Sequence, residues 1–208
     1  GGSLPRLAAR LNRLAPAAVV NLCEGFRGDP AFEAHVAGVL SLMGLPFTGS
    51  PLDALALCRD KFRAKAVLRA HGLPVPGGAL AASPDDVPAG LPFPVMVKPS
   101  AHDAGIGIGP ESVVHDAESL RIQVERVVRA YGQPALIEPF IDGREFNVAV
   151  VHDPAPRALP ASEIEFREWP ACRPRIVDYS AKWREDTSVF HLTPPVCPAR
   201  VSARTADE

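Results

Sequence analysis

The chain has 208 residues, 47% of them apolar, and a formal net charge of −2, which suffices for one large domain or two small ones with a real core. The near-neutral balance gives no reason to expect nucleic acid or an anionic membrane as partner, and no apolar run approaches the roughly 20 residues that cross a bilayer. No basic segment precedes an apolar one in the manner of a secretory signal, and Cys23, Cys58, Cys172 and Cys197 form no CxxC pair, so reduced thiols in a cytoplasm fit better than a disulfide framework or a zinc site.

Leu4, Leu7, Leu11 and Leu14 recur at helical spacing and predict a one-faced amphipathic helix, ended by Pro16. Ala17 to Leu22 reads as a buried, parallel-type strand, and a loop over 23–30 leads to a helix from Ala31 to Met43 closed by Gly44. Leu45 to Thr48 is a short strand, and Gly49-Ser50-Pro51 turns the chain. Helix, strand, helix and strand in that order predict a parallel sheet with covering helices. Asp60 to Ala70 is helical, with Asp60 as cap and Gly72 as stop, and Pro74 and Pro76 make an extended connector.

Gly78 to Ala81 and Pro94 to Lys98 read as strands, with a helix-start signal at Ser83-Pro84-Asp85-Asp86 between them. Asp116 to Tyr131 is the clearest helix, with Leu120, Val124, Val127 and Val128 on one face. Ala135 to Glu138 is a strand, and Glu145 to His152 is an antiparallel strand that pairs with Arg157 to Phe166. The 23 prolines cluster at 154–160, 170–174 and 194–198, where surface loops or edge strands are expected. The start at Gly1-Gly2-Ser3, without methionine, and the polar stop at Thr205-Ala206-Asp207-Glu208 suggest a piece of a longer polypeptide.

Two stretches carry chemistry. In Phe93-Pro94-Val95-Met96-Val97-Lys98-Pro99 a buried run closes on Lys98, and a small-residue loop follows over 100–109. A cation on a rigid strand end, beside a loop whose backbone can come close, is what a bound polyphosphate requires. The loop is neither a Walker P-loop nor a Rossmann fingerprint, since Gly105-x-Gly107-x-Gly109 has the wrong spacing and no following lysine. A flexible turn is the plain alternative, with His102 an exposed loop histidine. The second stretch, Pro134 to Phe146, offers an acidic, partly apolar edge that could hold a base and a ribose. Lys98 and Glu138 both end buried runs, so each charge needs a partner. Asp142 and Arg144 read as turn residues.

Six collinear stretches resemble the D-alanine–D-alanine ligase branch of the ATP-grasp superfamily. They are Val20-Asn21-Leu22-Cys23-Glu24-Gly25, Gly44 to Ser50, Asp60-Lys61-Phe62, Val97-Lys98-Pro99-Ser100, Ile137 to Phe146 and Tyr179-Ser180-Ala181-Lys182-Trp183. The resemblance covers nearly the whole chain. It implies an α/β chain, α+β in its ATP-grasp part: a truncated N-terminal parallel α/β domain over 1–58, a central ATP-grasp subdomain over 59–141 and an incomplete C-terminal subdomain over 142–208, with antiparallel sheets gripping ATP.

The resemblance also implies roles. Lys61 and Lys98 contact ATP from a helix start and a strand end. Gly105 and Gly107 belong to the loop over the phosphates. Glu138, Phe140 and Ile141 form the edge against which adenine lies, and Glu145 holds the ribose. Lys182 reaches the γ-phosphate from a mobile loop. Glu24 and Glu33 lie toward the substrate, and Glu33 joins Lys182 as a catalytic candidate. Taken singly, Lys61 also fits a solvated helix lysine, Glu145 a surface strand charge, and Glu24 or Glu33 a cap. Where the family has serines and a tyrosine, this chain has Ala104, Gly105 and Trp183. Trp183 donates one N–H and accepts nothing.

The implied reaction is acyl-phosphate formation from a carboxylate and ATP, then amide formation with an amine, with Mg²⁺ and lysines holding charge. The acid and Glu-x-Asn pair that hold Mg²⁺ in the family are expected beyond residue 208, leaving this chain without metal ligands and inactive by itself. Small-molecule substrates such as amino acids, a role in peptidoglycan synthesis, a cytoplasmic location and a possible homodimer follow from the same resemblance. A nucleotide-binding module without catalysis, or a ligase for another amino acid, are the alternatives.

Overall fold

The computed structural model describes residues 2–152, 154–202 and 204–205; the polar end at 206–208 lies outside them. The chain divides into two compact units, Gly1–Val75 and Pro76–Glu208.

The first unit opens with helix α1 (Leu4–Leu14), whose leucine spacing produced the expected helix and whose C-terminal Ala15 N–H returns to Leu11 O at 2.9 Å. The two expected strands around 17–22 and 45–48 shrink to one parallel bridge, Val19 to Phe47. Val19 N donates to Pro46 O at 2.8 Å and Thr48 N to Val19 O at 3.0 Å. Val20 and Leu22 are exposed, so among the described residues neither run is buried as a parallel strand would be.

A 3₁₀ turn at Pro30–Phe32, capped by the Asp29 carboxylate, leads into α2 (Glu33–Leu42), which buries Ala34, Val36, Ala37 and Leu40. Gly44 ends it in the left-handed region, with φ of 66°, where glycine has no Cβ to clash. Helix α3 (Leu52–Arg59) follows. Its leucines at 52, 55 and 57 keep no helical spacing that would announce it in the sequence. Helix α4 (Lys61–Ala70) starts at Asp60, whose carboxylate accepts from Arg63 N at 3.0 Å.

The second unit is built on an antiparallel sheet of β1 (Ala79–Ala81), β2 (Val95–Pro99), β3 (Val113–Val114) and β4 (Ala135–Pro139), in the order β1-β4-β2-β3. Helix α5 (Ala117–Tyr131) starts at the Asp116 cap and covers one face. Leu120, Val124 and Val127 pack there against Val95, Val97, Ala135 and Ile137, all nearly inaccessible. In β2 burial alternates, so Met96 and Lys98 turn to the other face. The register sets Met96 opposite Glu138 and Lys98 opposite Leu136.

Beyond the sheet, the expected strand over 145–152 splits into β5 (Glu145–Asn147) and β6 (Val150–His152). β6 pairs with β7 (Pro156–Ala158), and β5 pairs with β8 (Ser162–Ile164), which also pairs with β9 (Pro195–Val196). Helices α6 (Tyr179–Trp183) and α7 (Ser188–His191) lie between β8 and β9 in the chain. The architecture is α+β with antiparallel sheets.

Candidate functional site

Lys98 and Glu138 are diagonal neighbours across β2 and β4, and they form an ion pair. Their side chains are only 19% and 9% exposed, so each supplies the counter-charge that burial demands of the other. Phe140 N donates to Pro94 O at 3.0 Å and holds the chain past β4 against the start of β2.

The loop over 100–109 leaves β2 under several restraints. Ala101 N donates to Gln133 Oε1 at 2.5 Å, and Ser100 N to Pro134 O at 3.1 Å. His102 is half-buried edge-on against Tyr131, at 5.3 Å between ring centroids, and is not the exposed loop histidine expected. Ala104 has φ of 56°, a left-handed conformation that costs an alanine about 1 kcal/mol. Its carbonyl accepts from Trp183 Nε1 at 3.0 Å. Gly105 is buried with φ of 77°, and a Cβ there would stand 3.1 Å from Tyr179 N. The loop therefore rests on α6, the helix that carries Lys182.

Asp178 fixes that helix from below. It is buried, accepts from Ala181 N at 2.8 Å and pairs with Arg173 at 2.6 Å. Arg173 lies over the Trp169 ring, 5.4 Å from its centroid.

Glu145 on β5 and Lys182 on α6 line one cleft of about 540 Å³, together with Trp183, Phe190 and His191. Burial pushes the Glu145 carboxyl above its usual range, and the Lys182 charge pulls it partly back. Lys182 lies on helix α6 rather than on the mobile loop expected for it, and a half-buried acid beside a lysine in a cleft of this size can hold a polar ligand with hydroxyl and anionic groups.

The candidates drawn from the sequence are not all gathered in that cleft. Glu145 and Lys182 share it, and Gly105 backs onto its helix. Gly107 sits in the same loop, where a Cβ would collide with the Pro99 ring. Phe140 lines a different hollow, of about 740 Å³, with His115, Trp169 and Arg175. Ile141 is 67% exposed. Lys61 is the first residue of α4, and Glu33 the first of α2, both in the first unit. At that place Glu33 favours the helix N-terminus electrostatically, and Glu24 is exposed.

Arg144 is more than a turn residue. Its Nε and Nη2 donate to both oxygens of buried Glu163, at 2.7 and 2.6 Å, and Nη2 also donates to Arg200 O at 2.8 Å. The guanidinium lies 4.8 Å from the Phe146 ring centroid. It holds Glu163 below the usual carboxylate range, and Glu163 raises Arg144 in turn. The partner lies in a strand distant in sequence, so only the register of β5 on β8 reveals it.

An antiparallel sheet carrying a largely buried lysine, followed by a glycine loop that docks on a helix bearing a second lysine, is an α+β arrangement. Comparison with known proteins gives the family. Residues 79–206 match the family model described as the D-ala D-ala ligase C-terminus, and the chain belongs to that family. A D-alanine–D-alanine ligase of Caulobacter is 36% identical over 210 residues, 93% of this chain and 62% of that protein. A protein of Sinorhizobium fredii, named only as uncharacterized y4sG, is 33% identical over 189 residues, 90% of this chain and 53% of that protein.

The VanG D-Ala:D-Ser ligase of Enterococcus faecalis has the same fold, with a TM-score of 0.63 at 24% identity over 84% of this chain and 48% of that one. The chain thus spans 62% and 53% of the length of the two sequence relatives and 48% of the VanG ligase. Among the described residues no helix is long and apolar enough to cross a membrane.

Proposed function

We propose that the chain is part of an ATP-dependent ligase that joins a carboxylate to an amine of a small amino acid through an acyl phosphate. The observation that carries this reading is the cleft in which Glu145 faces Lys182, with Lys182 on a helix docked to the glycine loop. Its volume and donor set suit a nucleotide: a carboxylate for ribose hydroxyls and an ammonium for phosphate.

ATP supplies the phosphoryl group that activates the carboxylate. The chain's own residues bind and orient. Glu145 accepts hydrogen bonds from the ribose hydroxyls, Lys182 and Lys98 neutralise phosphate charge, and the backbone around Gly105 and Gly107 closes over the anion. Glu138, Phe140 and Ile141 remain the proposed adenine edge. Lys61 is a proposed phosphate contact and Glu33 a proposed substrate contact.

No group of three or more His, Cys, Asp or Glu side chains that could hold a metal ion occurs among the described residues. The division at residues 58 and 141, amino-acid substrates for peptidoglycan synthesis, a cytoplasmic location and a homodimer belong to the same reading.

Calorimetric titration of the chain with ATP, followed by phosphate release from the complete gene product in the presence of D-alanine, D-serine and their L-isomers, tests it. Micromolar ATP binding that is lost in Lys182→Met and weakened in Glu145→Gln is the expected result. An absence of ATP binding in the unaltered chain removes the proposal.

A further inference from the structure

We infer that Trp183 is a latch, a positioning residue that clamps the helix carrying Lys182 onto the glycine loop through a main-chain carbonyl. What the latch serves rests on the ligase reading; the latch itself rests on geometry.

Three observations converge on it. The indole N–H of Trp183 donates to Ala104 O at 3.0 Å, joining residues 79 apart in sequence. Ala104 is a non-glycine residue held at φ of 56°, and backbone strain of that kind persists only where the surroundings over-determine it. The carbonyl of this strained residue is the one that Trp183 takes. Gly105, next in the chain, lets the loop backbone lie against the backbone of Asp178 and Tyr179, where a Cβ would stand 3.2 and 3.1 Å away.

The helix side is fixed as firmly. Asp178 caps it and is itself held by Arg173. Trp183 is 55% exposed, so core packing does not account for its place. An indole has a single donor and no acceptor, which suits a carbonyl partner. That choice makes the latch indifferent to the side chain at 104, provided the residue tolerates left-handed backbone.

Trp183→Phe keeps the ring and removes the donor. Lys182 and Arg184 flank it and are tryptic sites, so local opening can be read directly. The expected result is several-fold faster cleavage after Lys182 in the variant, with cleavage elsewhere and the melting temperature unchanged. In the unaltered chain the Trp183 indole N–H should exchange about fivefold more slowly than in free tryptophan, as one net hydrogen bond allows. ATP affinity should fall several-fold in the variant.

Cleavage at the unaltered rate, or an indole that exchanges as fast as free tryptophan, overturns the latch. Uniformly faster cleavage with a lowered melting temperature also overturns it, since that marks a structural role only. A protected indole in a chain that binds no ATP sustains the latch and removes the nucleotide reading instead.

Discussion

Lys98 and Glu138 neutralise each other across β2 and β4, on the sheet face turned away from α5. Removing one member of such a pair leaves a buried charge without its partner. Lys98→Met preserves most of the side-chain volume and should lower the unfolding free energy by about 3 kcal/mol, the low end for buried pairs because Lys98 keeps some contact with water. Adding Glu138→Gln should restore much of the loss. Urea unfolding of both single variants and the double one forms the cycle, and strictly additive losses would contradict the coupling.

Glu145 contributes a pH dependence of definite sign. Burial raises its carboxyl above the ordinary range, so the folded chain binds that proton more tightly than the unfolded one. Its stabilising effect is present at low pH, where the group is protonated, and is lost as pH rises through the raised value. Glu145→Gln should therefore be more stable than the unaltered chain at neutral pH and nearly equal to it in acid. Lys182→Met removes a charge that opposes the shift and should raise the Glu145 carboxyl further. Denaturation midpoints measured from about pH 4 upward check both, with the ordinary glutamate value as reference.

Arg144 and Glu163 give the opposite sign. Glu163 is held below its usual range by the guanidinium, so its contribution is present above the unfolded value and disappears as pH falls through the lowered one. Arg144→Ala should reduce stability at neutral pH and flatten the acid limb of the stability curve. Arg144→Lys should recover little, because an ammonium cannot make the two-pronged contact. An acid limb as steep in Arg144→Ala as in the unaltered chain would refute the pairing as its source.

Leu120 sits at the centre of the α5–sheet core and is 1% exposed. Leu120→Ala should cost about 3 kcal/mol through lost transfer energy and the cavity left behind. The denaturant slope should stay constant, since the folded chain stays compact. Thermal and urea unfolding give the comparison.

The sequence made local order legible and long-range order only in outline. Asp116 to Tyr131 announces itself because the cap, the helical spacing and the terminal glycine agree. Lys98 and Glu138 could each be read as charges that need partners. That they satisfy one another depends on the register of β2 on β4, which periodicity does not encode. The Arg144–Glu163 contact was missed for the same reason, and Trp183 to Ala104 is a longer reach still. Helix α3 escaped because its leucines at 52, 55 and 57 do not keep a helical spacing over only eight residues. The strands expected at 17–22 and 45–48 show the converse: apolar runs that suggest burial, with only Val19 and Phe47 forming a bridge among the described residues.

Gln133 gives the glycine loop a property beyond its sequence. Its side-chain oxygen takes Ala101 N at the root of the loop, while Trp183 takes Ala104 near the tip. A segment moored at both points has already surrendered most of its conformational freedom before anything binds. On the proposed ligase reading, a phosphate beneath it would meet a preorganised cradle and be spared the entropy of ordering one.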